Sequence, residues 1–170
     1  LKFAGARSND CVIYRTSTGE KLFVLPHPSL VSSLAWHPDG RRLATTCYDF
    51  KVRIWDTLTG QQTSGFEDHE AEATSVEFDE TGTLLASGAW DDSRRLWAPE
   101  QAQALLRARG SGNGLRLAAN GSRISYTTWD HGRLVLLEVH PGHEFVSLER
   151  FSGIYGLTFS PDGRFVVAGS

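Results

Sequence analysis

Four glycines constrain this chain more than any other feature: Gly40 in WHPDGRRLA, Gly82 in FDETGTLLA, Gly121 in LAANGSRIS and Gly163 in FSPDGRFVV, spaced 42, 39 and 42 residues apart. Each closes a short turn between strand-like runs, and the clearest copy of the repeated unit runs from Ala73 to Trp97. There Val76 and Phe78 alternate with polar residues as on a half-buried strand, and Asp79-Glu80-Thr81-Gly82 supplies a tight turn. Leu84 to Ala89 reads as a second strand, and Asp91-Asp92 turns the chain into a third that ends at Trp97. A meander of this size leaves both sheet faces uncovered, so it needs neighbouring copies to cover them.

A period of about 40 residues built from strands predicts propeller blades; helical repeats of similar length would space apolar residues three and four apart, and that pattern is missing. The expected fold is all-β, a β-propeller of four-stranded antiparallel blades, about four of them present and the ring incomplete. Residues 1–25 should hold three strands (1–6, 11–16, 21–25), the second to fourth of a partial blade. Residues 26–67 hold a full blade (32–36, 42–47, 52–56, 61–65), and 68–109 another, with its outer strand near 102–107. Residues 110–149 form a degenerate blade (115–118, 123–128, 133–139, 144–148), and 150–170 give two strands of a partial blade (155–159, 164–168). The chain has no Met and starts within the strand-like run LKFAGAR. Starting and ending on second strands, it is expected to be a piece of a larger propeller whose remaining blades are its partners, since two copies joined head to tail would duplicate a strand position.

With 170 residues, 40% of them hydrophobic, the chain can bury one sizeable core. Its 17 lysines and arginines against 20 aspartates and glutamates leave a net charge of −3, so no basic excess favours nucleic acid or an anionic membrane. Apolar runs such as Leu134 to Leu137 are far shorter than the roughly 20 residues of a membrane helix. Cys11 and Cys47 are too few for a disulfide framework and lack metal-type spacing, which makes both small core residues. The sequence names no compartment beyond a slight preference for the cytoplasm.

Ahead of two of these meanders stands a further pattern. A His is followed four residues later by a small apolar residue, three later by Val or Leu and two later by an aromatic, as in His27, Val31, Leu34 and Trp36 and again in His69, Ala73, Val76 and Phe78. Asp49 lies six residues before Trp55, and Asp91 six before Trp97. Over essentially its whole length the chain resembles the Trp-Asp repeat propeller family. The resemblance implies a buried tetrad in each regular blade, carried by position onto His27, Thr45, Asp49 and Trp55 and onto His69, Ser87, Asp91 and Trp97. Buried indole, hydroxyl, imidazole and carboxylate groups can satisfy one another there. The degenerate blade keeps Asp130 but has Leu136 and Tyr126 at the Trp and hydroxyl positions, and the first partial blade has Tyr14 for Trp and Ser8 for Asp. The resemblance also implies that Tyr48, Trp90 and Trp129, each just before a turn aspartate, stand near one end face. They are a candidate protein-binding row, with packing onto neighbouring blades as the alternative.

Ser87, His69 and Asp91 have the composition of a nucleophilic triad, but equivalent residue types recur one blade earlier, and a catalytic site would not repeat. No catalysis is expected. His140-Pro141-Gly142-His143, with His131 nearby, reads as a turn without a metal-ligand set. Glu67 to Glu72 reads as a solvated loop between blades. Arg41-Arg42 and Arg94-Arg95 lack the interleaved aromatics that stack bases. No phosphate loop or nucleophile elbow is present, and no cofactor is implied. The family's general role predicts a non-catalytic scaffold for other proteins or peptides. The alternative is a sensory or regulatory propeller fused to a catalytic domain, such as a bacterial protein kinase, outside this sequence.

Overall fold

The computed structural model describes residues 1–109, 115–118, 120–127, 134–139, 145–151 and 156–169. Among them are seventeen strands and no α-helix, only a short 3-10 turn at Pro99–Gln101. The first sheet holds β1 (Lys2–Arg7), β2 (Asp10–Arg15) and β3 (Lys21–Pro26) in that order. Next comes a four-stranded sheet of β4 (Val31–Trp36), β5 (Arg42–Cys47), β6 (Val52–Asp56) and β7 (Gln61–Phe66), then one of β8 (Ala73–Phe78), β9 (Leu85–Ala89), β10 (Ser93–Ala98) and β11 (Gln103–Arg109). A third four-stranded sheet has β12 (Arg116–Leu117), β13 (Arg123–Thr127), β14 (Leu134–Val139) and β15 (Phe145–Phe151), and β16 (Gly156–Phe159) pairs with β17 (Val166–Gly169). Every pairing is antiparallel between consecutive strands, the meander order of propeller blades.

The sheets stack through their first strands. β4 packs against β8, β8 against β12 and β12 against β16, while β5 also meets β8. β1 stands against β4 as β5 stands against β8. Each hydrophobic core lies between two sheets. Cys11, Ile13 and Leu25 meet Val31, Leu43 and Trp55; Val52, Ile54 and Phe66 meet Val76, Leu85 and Trp97; Ala86 and Leu96 meet Leu117, Ile124 and Tyr126. Being covered on both faces, β5, β9 and β10 are buried almost continuously, whereas the outer strands β7 and β11 stay largely exposed. Both cysteines are fully buried and unpaired by disulfide, and burial pushes the Cys11 thiol up to about 12.

The four aligned glycines all have φ between 66° and 74°, the left-handed turn conformation that favours glycine. Gly82 has a second reason to lack a side chain: a Cβ there would sit 1.9 Å from His37 Nε2 of the preceding sheet. The same contact recurs along the array, since a Cβ at Gly121 would lie 2.8 Å from Leu84 Cδ1 and one at Gly163 would lie 3.1 Å from Asn120 Oδ1. Each turn thus rests on the glycine of the next.

Several strand limits differ from expectation because turn side chains capture backbone donors. Leu84 N–H is taken by Asp79 Oδ1 at 2.8 Å, so β9 begins at Leu85. Phe165 N–H bonds to Ser160 Oγ at 3.0 Å and Arg164 N–H to Asp162 Oδ1 at 3.1 Å, which lengthens that turn and delays β17 to Val166. β12 is only two residues long, shorter than the expected 115–118. No helix among the described residues is long and apolar enough to cross a membrane.

Candidate functional site

In the sheet of β8–β11 a polar chain runs through the buried interior. Trp97 Nε1 donates to Ser87 Oγ at 2.8 Å, and His69 Nε2 lies 2.8 Å from the same oxygen. His69 Nδ1 is 3.3 Å from Asp91 Oδ2, which also accepts Glu70 N–H at 2.9 Å. Because the indole can only donate and the carboxylate only accept, the Ser87 hydroxyl donates to Nε2 and the imidazole proton sits on Nδ1. Burial depresses the His69 pKa to about 4, despite the opposing pull of Asp91. For Asp91 burial acts upward, but the Ser93 hydroxyl, the Glu70 amide and His69 outweigh it and hold the carboxyl well below the usual carboxylate range.

The sheet of β4–β7 builds the same start and a different finish. Trp55 Nε1 donates to Thr45 Oγ1 at 2.9 Å, and His27 Nε2 is 2.8 Å from that oxygen. His27 Nδ1, however, donates to Leu25 O at 2.9 Å, while Asp49 is held by the Arg53 guanidinium, with Nη1 at 3.0 Å. Here the structure departs from the expected four-membered arrangement: three residues connect, and the aspartate faces its own strand's arginine. Burial lowers the His27 pKa, with Arg53 acting the same way.

Residues forty-two apart explain the difference. Ser93 donates to Asp91 Oδ1 at 2.5 Å and lies 3.2 Å from His69 Nδ1, whereas its counterpart is Lys51, which reaches out to Glu67 at 2.6 Å. Arg95, the counterpart of Arg53, is shared between Asp68 and Asp91, each at 3.6 Å; the counterpart of Asp68 is Pro26, which offers no carboxylate. Among the described residues, Arg53 therefore bonds to Asp49 alone.

Arg94 and Arg95, adjacent on β10, are both buried because neighbouring strand residues point to opposite faces and both faces are covered. Arg94 places its guanidinium 5.3 Å from the Tyr126 ring centroid and donates to Ser93 O at 3.0 Å. Tyr126, at the hydroxyl position of the degenerate blade, is buried and donates from its OH to Arg109 O at 2.9 Å. The sequence reading missed the inward turn of these arginines and the roles of Asp68 and Ser93. The repeat of Arg53 at Arg95, each four residues after the turn aspartate, was the available signal.

Tyr48 and Trp90 are exposed, at 37% and 65% of their surface. Their backbones dock identically: Tyr48 N–H donates to Leu30 O at 2.9 Å and Trp90 N–H to Glu72 O at 3.0 Å, so both stand at the end where the His-bearing loops enter β4 and β8. Trp129, with Asp130, His131 and 140–143, lies outside the described residues.

A family model described as WD domain, G-beta repeat matches residues 19–56, 60–97 and 135–170. The first two matches each take the outer strand of one sheet and the first three of the next. Among curated proteins, the chain is 33% identical over 78 residues to "Periodic tryptophan protein 2 homolog" of Schizosaccharomyces pombe, covering 45% of the chain and 9% of that protein. It is 26% identical over 98 residues to "Guanine nucleotide-binding protein subunit beta-5b" of Danio rerio, covering 56% of the chain and 25% of that protein. Over 162 residues it is 28% identical to "Guanine nucleotide-binding protein subunit beta" of Oryza sativa subsp. japonica, covering 84% of the chain and 42% of that protein. The chain thus spans less than half the length of these relatives. With matched repeats over more than half of its residues, laid on successive four-stranded antiparallel sheets, the chain belongs to the WD-repeat family of β-propeller proteins.

Proposed function

We propose that this chain is part of a non-catalytic scaffold that docks other proteins or peptides on the end face carrying Tyr48 and Trp90. The observation that carries the reading is the exposure of two large aromatics at equivalent positions of adjacent blades, each fixed by the same backbone bond to the loop beside it. Tyr and Trp bury much area for little lost rotamer freedom, which suits them to binding surfaces. The two polar clusters are structural in this reading. Ser87 is fully buried and its oxygen is engaged by both Trp97 and His69, so no substrate carbonyl has access to it.

The test replaces Tyr48, Trp90 and Trp129 singly with Ser in the intact protein, then measures melting temperature and the partners that co-purify. The expected result is stability within about 0.5 kcal/mol of the parent for the two exposed positions, with partners lost. Lower stability with unchanged partners would make the aromatics packing residues and move the docking face elsewhere.

A further inference from the structure

We infer that the occupant of this end face is a segment of another protein that sets a lysine or arginine against Trp90, between Glu72 and Asp92, beside an apolar anchor. The inference rests on the docking reading above and adds the partner's chemistry to it. Four apolar side chains open at this end: Leu30, Tyr48, Phe50 and Trp90. Phe50 is 40% exposed and sits at φ 72°, a conformation that costs a bulky residue energy and would cost glycine none.

Around them the charge is unbalanced. Most carboxylates of the acidic run are already paired: Glu67 with Lys51 at 2.6 Å, Asp68 with Arg95 at 3.6 Å and Glu70 with Arg107 at 3.2 Å. Asp91 is turned inward to His69. Glu72 and Asp92 make no ion pair among the described residues; the Glu72 carbonyl accepts Trp90 N–H, and Asp92 follows Trp90 by two residues along the turn. Of the strand cations beneath, Arg95 is held between Asp68 and Asp91, and Arg94 stacks over Tyr126 and acts on Asp92 only through its charge, without an ion pair to it. An indole with two neighbouring carboxylates that form no ion pair attracts a cation through both its quadrupole and the nearby charge.

The same charge argues against other occupants. Phosphate of a nucleic acid is repelled, as is an acidic segment, and a second copy of this chain would bring a face of the same sign. The patch is also no open sheet edge, because its two blades are flanked by β1–β3 on one side and β12–β15 on the other.

The experiment uses the intact protein and two pools of short labelled peptides that share a central Leu-Phe pair, one flanked by Lys and Arg and the other by Asp and Glu, read by fluorescence polarisation at low and high salt. The basic pool should bind at least about tenfold more tightly, the scale of one well-placed cation–aromatic contact, with a preference that shrinks as salt rises. Glu72→Gln with Asp92→Asn should remove most of that preference at unchanged melting temperature, and Trp90→Ser should weaken both pools. Equal binding of the two pools that is lost on Trp90→Ser overturns the charge inference and leaves the docking reading standing. A basic preference that survives the Glu72 and Asp92 changes also overturns it, as does no binding of either pool. Binding untouched by all three substitutions removes the docking face as well.

Discussion

The blades of β4–β7 and β8–β11 present the same kinds of side chain at four positions forty-two residues apart, yet their aspartates take different partners. Asp91 completes a chain from Trp97 through Ser87 and His69, and Asp49 closes on Arg53. The deciding residues lie outside the shared set: Ser93 in place of Lys51 ties Asp91 toward the imidazole, and Asp68 in place of Pro26 draws Arg95 off it. A buried carboxylate goes to whichever donors surround it most closely, so a repeated quartet of residue types does not fix a repeated set of bonds.

The largest effect should come from the indoles. Trp97→Ala should cost about 3–5 kcal/mol, because it removes a fully buried ring stacked 4.3 Å from Phe66 and takes the indole donor from Ser87 Oγ. Trp55→Ala should cost less, since its cluster is shorter by one member; equal denaturant midpoints would break the contrast. Gly82→Ala should follow at roughly 2–4 kcal/mol, combining left-handed strain with the clash on His37, while Gly40→Ala, whose Cβ would meet nothing within 4 Å, should cost only about 1 kcal/mol. Asp91→Ala leaves His69, Ser93 and the Glu70 amide without their acceptor and should cost about 1–3 kcal/mol. Asp49→Ala leaves the buried Arg53 guanidinium without its carboxylate and should also cost about 1–3 kcal/mol; urea titrations of the pair would show whether the two arrangements differ in strength.

Acid should reveal the same asymmetry. His69 titrates near 4 in the folded chain against its ordinary 6.5, so the unfolded state binds the extra proton between these values. Stability from the neutral imidazole is fully present above about pH 6.5 and falls by up to about 1.4 kcal/mol per pH unit as pH drops toward about 4. The lowered His27 pKa acts in the same direction, and the depressed Asp91 carboxyl extends the loss below its ordinary 3.8. Stability that rises on acidification through this window would contradict a buried neutral His69. The smallest effect belongs to Asp68→Ala, at about 0.5 kcal/mol or less because the carboxylate is exposed. Its signature is instead a shifted His69 Nδ1 resonance, as Arg95 closes fully on Asp91; an unmoved resonance would mean that Asp68 does not set the geometry.

The fold was legible because its determinants are local and periodic: the glycine turns, the period-two runs and the regular Trp positions each act through backbone geometry or burial that a neighbouring residue cannot redirect. The quartets were legible as residue types and illegible as bonds, since which donor reaches Asp49 or Asp91 depends on Lys51, Ser93, Pro26 and Asp68. Burial of Arg94 and Arg95 was not legible because the pair was weighed only against base stacking, while coverage of both sheet faces left neither residue an outward direction. The exposure of Tyr48 and Trp90 was undecided for a simpler reason: at a strand end, alternation no longer says which side is covered.

Along the array, His37 rests on Gly82, Leu84 and Asp79 on Gly121, and Asn120 on Gly163. The receiving half of each joint is the same bare backbone, and the arriving half is different every time. A repeat of this kind carries a standard socket on one side and a private plug on the other. A duplicated copy can then be spliced behind any existing one without redesign of the socket, leaving only the plug to drift into fit. Joints of that sort let blades differ in sequence and in length while each still seats on the next, so the array keeps its order through a member that has Leu136 at the Trp position and Tyr126 at the hydroxyl position.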